Sequence, residues 1–503
     1  MPKRQILVNA IMSLGQVVVI SGVLFFLYRF LLKVIGVEQL GIWSLVLATT
    51  AITQLATFGL SGSVVKFVAK YVARQEEDRV SGIIQTAALS LGAALFFALL
   101  LVYPIGRWLL ALVIAGKPLQ MALQILPYAL LNLWVVMIAG VFQAGLDGFQ
   151  RIDLRSLLLM GSSIMHLLLC LLLAPAYGLI GVAYARISES FLILLGSWFV
   201  LRRILPNLPL VPRRWDRLLF KEMIGYGLKF QVLTATSMFF EPTTKALLGK
   251  FGGLSMVGFY EMASKMVQQF RGLVVAASQV IVPAIAGLQE KFPEKVRSVY
   301  LKSYRLLFFL MVPLFSLLIV FTPSISRIWI GHPEKTFMTF AILLSAGWFL
   351  NTLDVPAYFA YLGIGNLRWN LYSQITIALL NLGVGILLGK ALGGIGVVLA
   401  WGGALALGGS LVYLSYHHTY GIPLFELWPE ASRKLSLACI GAMFLYYLVR
   451  HFAVPVRTNA YWEVGFLLAA SSIILLPAWA NPQRKQWVEW VSRELFAKSV
   501  KGT

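Results

Sequence analysis

Ten ionisable side chains lie inside long apolar runs of this 503-residue chain: Arg29, Arg186, Glu189, Lys229, Glu241, Lys245, Glu261, Lys265, Arg271 and Asp354. A charge in such surroundings is costly unless it is paired or hydrated, so each is a candidate functional group. Some can neutralise one another. Arg186 with Glu189 is an i,i+3 pair, and Glu241 with Lys245 and Glu261 with Lys265 are i,i+4 pairs. Such pairing would tie helices together. It leaves Arg29, Lys229 and Arg271 over, with Asp354 as a longer-range partner or with snorkelling to an interface as the alternative.

The chemistry these cations suit is phosphate recognition. At an offset of 216 positions Arg29 falls on Lys245, which puts a cation at one depth in two similar helices. Facing each other, they would make a cationic pair for a phosphate-bearing substrate, and Lys265 and Arg271 would extend its path. Gln16, Asn132, Gln143, Asn351, Gln374 and Asn381 are polar groups in the same runs, able to meet sugar hydroxyls or to join helices. Cys170 and Cys439 lie in apolar runs as small core residues, and neither they nor the five histidines have metal-ligand spacing.

These residues need membrane helices to position them. Apolar residues make up 59% of the chain and charged residues 12%, against ~25% charged in average soluble domains. The apolar runs are about 20 residues long and do not alternate, which favours helices over an outer-membrane barrel. The first, within 9–32, carries the basic flank Lys3-Arg4 and reads as a retained helix and not as a signal peptide. The expected fold is an all-α polytopic membrane protein with about fourteen transmembrane helices. The first six span roughly 9–32, 40–64, 82–112, 121–145, 154–174 and 178–200. Six more follow at roughly 225–248, 254–283, 301–325, 337–361, 370–389 and 393–415. A last pair spans roughly 434–452 and 460–480.

A net charge of +22 punctuates these runs and does not gather on a domain, so nucleic acid is not an expected partner. Segments on the side of the N-terminus hold 27 Lys and Arg, and the opposite loops hold nine. That bias places both termini in the cytoplasm. The loop from Arg202 to Lys221 carries three prolines and then RRWDRLLFKEM, which reads as a short interfacial helix facing anionic head groups. Segments 66–80 and 290–305 are amphipathic pieces at matching places.

The matching extends further. LLKVIGVEQLGIWSL at 31–45 aligns with LLGKFGGLSMVGFYE at 247–261, and YGLIGVAYA at 177–185 with LGGIGVVLA at 392–400. Offsets of 215 to 217 indicate an internal duplication. Each copy would hold six spans and enter the membrane the same way, giving two pseudo-symmetric six-helix bundles. The expected divisions are an N-terminal bundle at 1–201, a cytoplasmic linker at 202–222, a C-terminal bundle at 223–416, and an additional helix pair with a cytoplasmic tail at 417–503.

NAIMSLGQVVV at the start, GVEQLGIWSLVLATTAITQLATFGLSGSVVKFVAKY, and the central VFQAGLDGFQRID together resemble the polysaccharide transporter family, the group containing the O-antigen flippases, within the multidrug, oligosaccharidyl-lipid and polysaccharide exporter superfamily. The resemblance covers essentially the whole chain. It implies a flippase that carries polyprenyl-pyrophosphate-linked oligosaccharide across a bacterial or archaeal cytoplasmic membrane by alternating access, for cell-surface polysaccharide such as lipopolysaccharide O-antigen. Arg29, Lys245, Lys265 and Arg271 would neutralise the pyrophosphate. Glu241, Glu261 or Asp354 would carry a coupling H+ or Na+. No covalent chemistry is implied, so the chain is not expected to be an enzyme, and it has no nucleotide-binding loop, metal or other cofactor. Membrane lipids and a glycan polymerase or ligase are the further expected partners, with a monomer as the working unit. The alternatives are a cation-coupled exporter of drugs or metabolites, which the absence of an acid in the first helix weakens, and a membrane scaffold of a glycan assembly complex. The related peptidoglycan lipid II flippases share the span count and stay open.

Overall fold

The computed structural model describes residues 3–51, 59–278, 285, 293–453 and 460–481. In that range the regular secondary structure is helical. In order come α1 (Lys3–Val34), α2 (Gly36–Thr50), α3 (Leu60–Ala73), α4 (Glu77–Val113), α5 (Gly116–Gly148), α6 (Ile152–Ile204), α7 (Arg217–Ala235) and α8 (Phe240–Phe251). Then follow α9 (Leu254–Ser278), α10 (Pro293–Ile330), α11 (Lys335–Thr352), α12 (Val355–Ile364), α13 (Arg368–Thr419), α14 (Glu430–Ala453) and α15 (Ala460–Ala480). Eight helices among the described residues are long and apolar enough to cross a membrane. Their outer faces are unlike those of a soluble protein. Helix α4, for example, buries Ile83, Ile84, Leu91 and Leu95 but leaves Phe96, Phe97, Leu100, Leu101 and Trp108 exposed, a surface fit for lipid.

The chain forms two compact units. One comprises Met1–Met262 with Ala378–Ala400, and the other Ala263–Ile377 with Trp401–Thr503.

In the first unit, α6 is two arms. Fifty-three residues would make a rod of about 80 Å, but Gly178 leaves the helical region (φ 57°, ψ −134°). The arms fold back so tightly that a Cβ on Gly181 would lie 2.2 Å from the Leu173 carbonyl oxygen. Helix α13 does the same at Gly393 (φ 63°, ψ −147°), where a Cβ on Gly396 would lie 2.0 Å from the Leu388 oxygen. Each of these three positions recurs 215 residues on. Other turns keep the same register: left-handed Gly116 with Gly331, and left-handed Gln150 with Gly365. The Arg151 amide donates to the Leu146 oxygen just as the Asn366 amide donates to that of Tyr361.

Nearer the start the offset is 217. Left-handed Gly36 opens α2, and left-handed Gly253 stands just before α9. A Cβ on Gly41 would lie 2.1 Å from the Leu254 oxygen, and one on Gly258 would lie 2.3 Å from the Val37 oxygen. The contact is reciprocal: glycine and carbonyl exchange roles at equivalent positions. Only hydrogen fits there, so the two backbones touch.

Three expectations are modified. The span expected at 225–248 is interrupted, with a 3-10 turn at Ser237–Phe239 separating α7 from α8. Pro242 has no amide hydrogen and crowds the carbonyl four residues earlier, at Met238 inside that turn. Next, the expected interfacial helix in the linker does not stand apart. Asp216 caps α7 by accepting from the Leu218 and Leu219 amides, and the helix runs on to Ala235. The linker before it is strapped to α4, where Gln85 Oε1 accepts from the Arg213 and Arg214 amides and Thr86 Oγ1 accepts from the Asp216 amide. Finally, α2 and α3 take up the span expected at 40–64, with 52–58 outside the described residues. Pro104, Pro127, Pro313 and Pro323 sit within continuous helices, and Pro356 opens α12; Pro283 lies outside the described residues.

In the second unit, the arm of α13 beyond Trp401 packs on Lys335–Thr352, where a Cβ on Gly347 would lie 2.7 Å from Gly402 Cα. The closing pair α14 and α15 is fastened to α10 by Tyr447, whose hydroxyl donates to the Ile319 oxygen, and to each other by Asn481, which donates to the Ala431 oxygen.

The reciprocal contact yields a prediction. Gly41→Ala or Gly258→Ala should destabilise the protein by about 1–3 kcal/mol through overpacking, whereas Gly62→Ala, with nothing within 4 Å of the added carbon, should not. Thermal unfolding of the purified variants in nanodiscs checks this, and equal losses at all three positions would refute it.

Candidate functional site

The first cluster forms where α1, α2, α8 and α9 meet. Lys245 on α8 is 4% exposed and Glu261 on α9 is 3% exposed. The lysine Nζ lies 2.7 Å from Glu261 Oε2 and 2.8 Å from Glu241 Oε1. Two hydroxyls complete the setting: Tyr28 donates to Glu261 Oε1 at 3.0 Å, and Ser44 donates to Oε2 at 2.8 Å. Both oxygens of a buried carboxylate are thus met by donors, as a charge at this depth requires. The backbone contact at Gly41 and Gly258 lets α2 and α9 approach closely enough for Ser44 to reach Glu261.

Glu241 pairs with Lys245 as the spacing indicates. Glu261 is engaged by Tyr28, Ser44 and Lys245, partners from three other helices that i,i+4 spacing did not reveal. The repeat register accounts for them. At 217 positions Tyr28 corresponds to Lys245, and Ser44 corresponds to Glu261. Arg29, expected opposite Lys245 at an offset of 216, is one residue out of this register and exposed. Lys265 lies further along α9, half-buried.

Beside this group, Arg186 Nη1 pairs with Glu189 Oε2, and His166 Nδ1 lies 3.4 Å from the same oxygen. These residues join the two arms of α6. Ser190 donates to Asn132 Oδ1 of α5, and the Arg186 charge lies within electrostatic reach of the Tyr28 hydroxyl. Nearby, Asn381 donates to the Phe240 carbonyl and shares a hydrogen bond with Thr244, one residue from Lys245. Asn132 and Asn381 therefore tie helices together here.

The second unit holds its own cluster. Arg271 Nε donates to Thr352 Oγ1 at 3.1 Å, and its guanidinium stacks 4.3 Å from the centre of the Trp348 ring. Asp354, buried at the start of α12, is the charge that offsets Arg271. The leftover cation within electrostatic reach of Asp354 is Arg271. Asn351, between them, donates to the Leu405 carbonyl.

A third group lies at the ends of α3 and α7. Lys70 Nζ meets Glu222 Oε1 at 2.8 Å, and the Tyr71 hydroxyl donates to Oε2 at 3.0 Å. Partial burial alone would raise the Glu222 carboxyl, but these two hydrogen bonds and the charges of Lys70 and Arg79 outweigh it and hold the group below its usual range. The same hydrogen bond raises the Lys70 ammonium. Among the described residues, no group of three or more His, Cys, Asp or Glu could hold a metal ion.

The family model for "Polysaccharide biosynthesis protein" matches residues 26–333. The chain belongs to that family. A putative O-antigen transporter of Shigella flexneri is 21% identical over 346 residues, which cover 67% of this chain and 79% of that protein. Among solved structures, the lipid II flippase MurJ in an inward closed conformation superposes with a TM-score of 0.73 at 15% identity, over 94% of this chain and 98% of the other. An inward-facing multidrug resistance transporter of the MATE family gives 0.68 at 15% identity, over 80% and 98%. The chain therefore shares its fold with these membrane transporters.

Two predictions come from these clusters. Lys245→Met leaves Glu261 buried without its cation and should cost about 3–5 kcal/mol, while Lys245→Met combined with Glu261→Gln should recover much of that. A double-mutant cycle on thermal stability measures the difference. For Glu222 the sign follows from its lowered value: the contact contributes fully above the ~4.3 of a free glutamate and is lost as pH falls through the bound value. Glu222→Gln should therefore unfold at lower temperature than the unmodified protein at pH 7, and the gap should close in acid and narrow in high salt. A gap unchanged on acidification would contradict this.

Proposed function

We propose that the protein is a flippase for polyprenyl-pyrophosphate-linked oligosaccharide in cell-surface polysaccharide biosynthesis. The observation that carries this reading is a set of cations held inside apolar helical walls, Lys245 among carboxylates and Arg271 on an aromatic face. They occur in a chain of a polysaccharide biosynthesis family whose relative is a putative O-antigen transporter. The pyrophosphate and sugars would occupy a polar path while the polyprenyl tail stays in lipid. Fourteen spans, two six-helix bundles rocking about a cleft, a closing helix pair, and both termini in the cytoplasm make up the proposed machine. The repeated turn geometry supports the two-copy part of it. In this scheme Arg29, Lys245, Lys265 and Arg271 handle the pyrophosphate, and Glu241, Glu261 or Asp354 bind the coupling H+ or Na+.

A second reading, a cation-coupled exporter, is favoured by the buried acids Glu261 and Asp354 and by the MATE likeness. One preparation tests both. Protein in liposomes carrying a fluorescent polyprenyl-pyrophosphate oligosaccharide should move it between leaflets, faster under an imposed proton or Na+ gradient. Arg271→Gln should slow that movement at least tenfold without loss of folded protein, and Asp354→Asn should abolish its dependence on the gradient. Efflux of small cationic dyes with no movement of the glycolipid would establish the exporter instead.

A further inference from the structure

Tyr28, Ser44 and Lys245 come from three different helices, yet their donors converge on one carboxylate, that of Glu261. All four side chains are buried, Ser44 and Glu261 at 3% exposure or less. A carboxylate is acceptor-only, with two oxygens and four lone-pair directions. A phosphate oxygen pair offers the same acceptors with more charge, and charge-assisted bonds to it are at least as strong. The two hydroxyls and the ammonium therefore make a receptor for an oxyanion. We propose that Tyr28, Ser44 and Lys245 form a phosphate or pyrophosphate site, and that Glu261 occupies it in this conformation as the chain's own substitute for the ligand.

The repeat register supports this assignment. Ser44 and Glu261 are equivalent positions, as are Tyr28 and Lys245, so one copy supplies a hydroxyl where the other supplies a charge. Glu241 remains beside Lys245 when Glu261 leaves, so the lysine stays neutralised during the exchange. Binding also has a structural consequence. Glu261 follows Gly258 by three residues on α9, and withdrawing it from Tyr28 and Ser44 removes polar bonds that hold α9 against α1 and α2. A ligand that takes its place favours the conformation in which those helices separate. The inference deepens the flippase reading by giving the pyrophosphate a competitor and a release step. It also assigns Tyr28 and Ser44 to the substrate path and makes Glu261 the displaced anion.

The test is binding, measured apart from transport. Inorganic pyrophosphate, farnesyl pyrophosphate and uncharged farnesol are titrated into the full chain in nanodiscs by calorimetry. Glu261→Ala, with Glu261→Gln as the milder variant, should bind a pyrophosphate ligand at least tenfold more tightly than the unmodified protein. Adding Lys245→Met, or Tyr28→Phe with Ser44→Ala, should remove that gain. A gain for both pyrophosphates means that the free anion is recognised, and a gain for the farnesyl compound alone means recognition within a lipid. Either supports the site. No gain in a folded Glu261 variant, or an equal gain for farnesol, overturns it. Gained affinity without glycolipid movement would leave this site standing and refute the flippase, whereas movement without the gain would do the reverse.

Discussion

An ammonium group buried among apolar helices must be neutralised where it sits, and in this chain that requirement joins four helices at one point. Lys245 draws Glu241 from its own helix and Glu261 from the next. Glu261 in turn needs donors for both oxygens and finds them in Tyr28 and Ser44. Those donors can reach it because glycine at 41 and 258 removes the side chains that would hold α2 and α9 apart. Packing and electrostatics are one arrangement here. A methyl group at the glycine contact would lengthen the polar bonds, and loss of the lysine would leave the close packing wrapped around an uncompensated charge.

The turns recur in register along the chain, while the side chains at matching positions differ. Turns, left-handed glycines and hairpin geometry have kept their register, because a displaced turn would change the direction of a whole helix. Side chains between the turns were free to diverge. At equivalent places one copy has tyrosine and serine, the other lysine and glutamate, and the cluster is built from the complementarity of the two. Arg271 and Asp354 show a different solution in the second unit, where a guanidinium is held by a tryptophan face, a threonine hydroxyl and a nearby carboxylate.

Much of this was legible in the sequence. Apolar run length located the membrane-length helices among the described residues, and Gly178 and Gly393 fall where two of the expected runs begin. The i,i+3 and i,i+4 spacings found Arg186 with Glu189 and Glu241 with Lys245. What escaped was rotation about helix axes. Uniformly apolar helices carry no periodic polar face, so Tyr28 could not be distinguished from its neighbour Arg29 as the residue that turns inward. A one-residue difference in alignment then brought forward the more conspicuous charge. The break at Ser237 was hidden because a proline in a membrane helix is compatible with a continuous rod, as Pro104 and Pro127 demonstrate in α4 and α5.

That break separates the copies mechanically. Helix α1 runs unbroken from Lys3 to Val34, through the residues that correspond to Ser237–Phe239, whereas the second copy divides there into α7 and α8. Bending a continuous helix in hydrocarbon strips backbone groups of partners that no water can replace. A segment already wound as a 3-10 turn has less to lose. The earlier segment is thus one rod and the later one a rod in two pieces, with Lys245 on the shorter piece beyond the turn. One proline, Pro242, is enough to make two segments of the same register unequal.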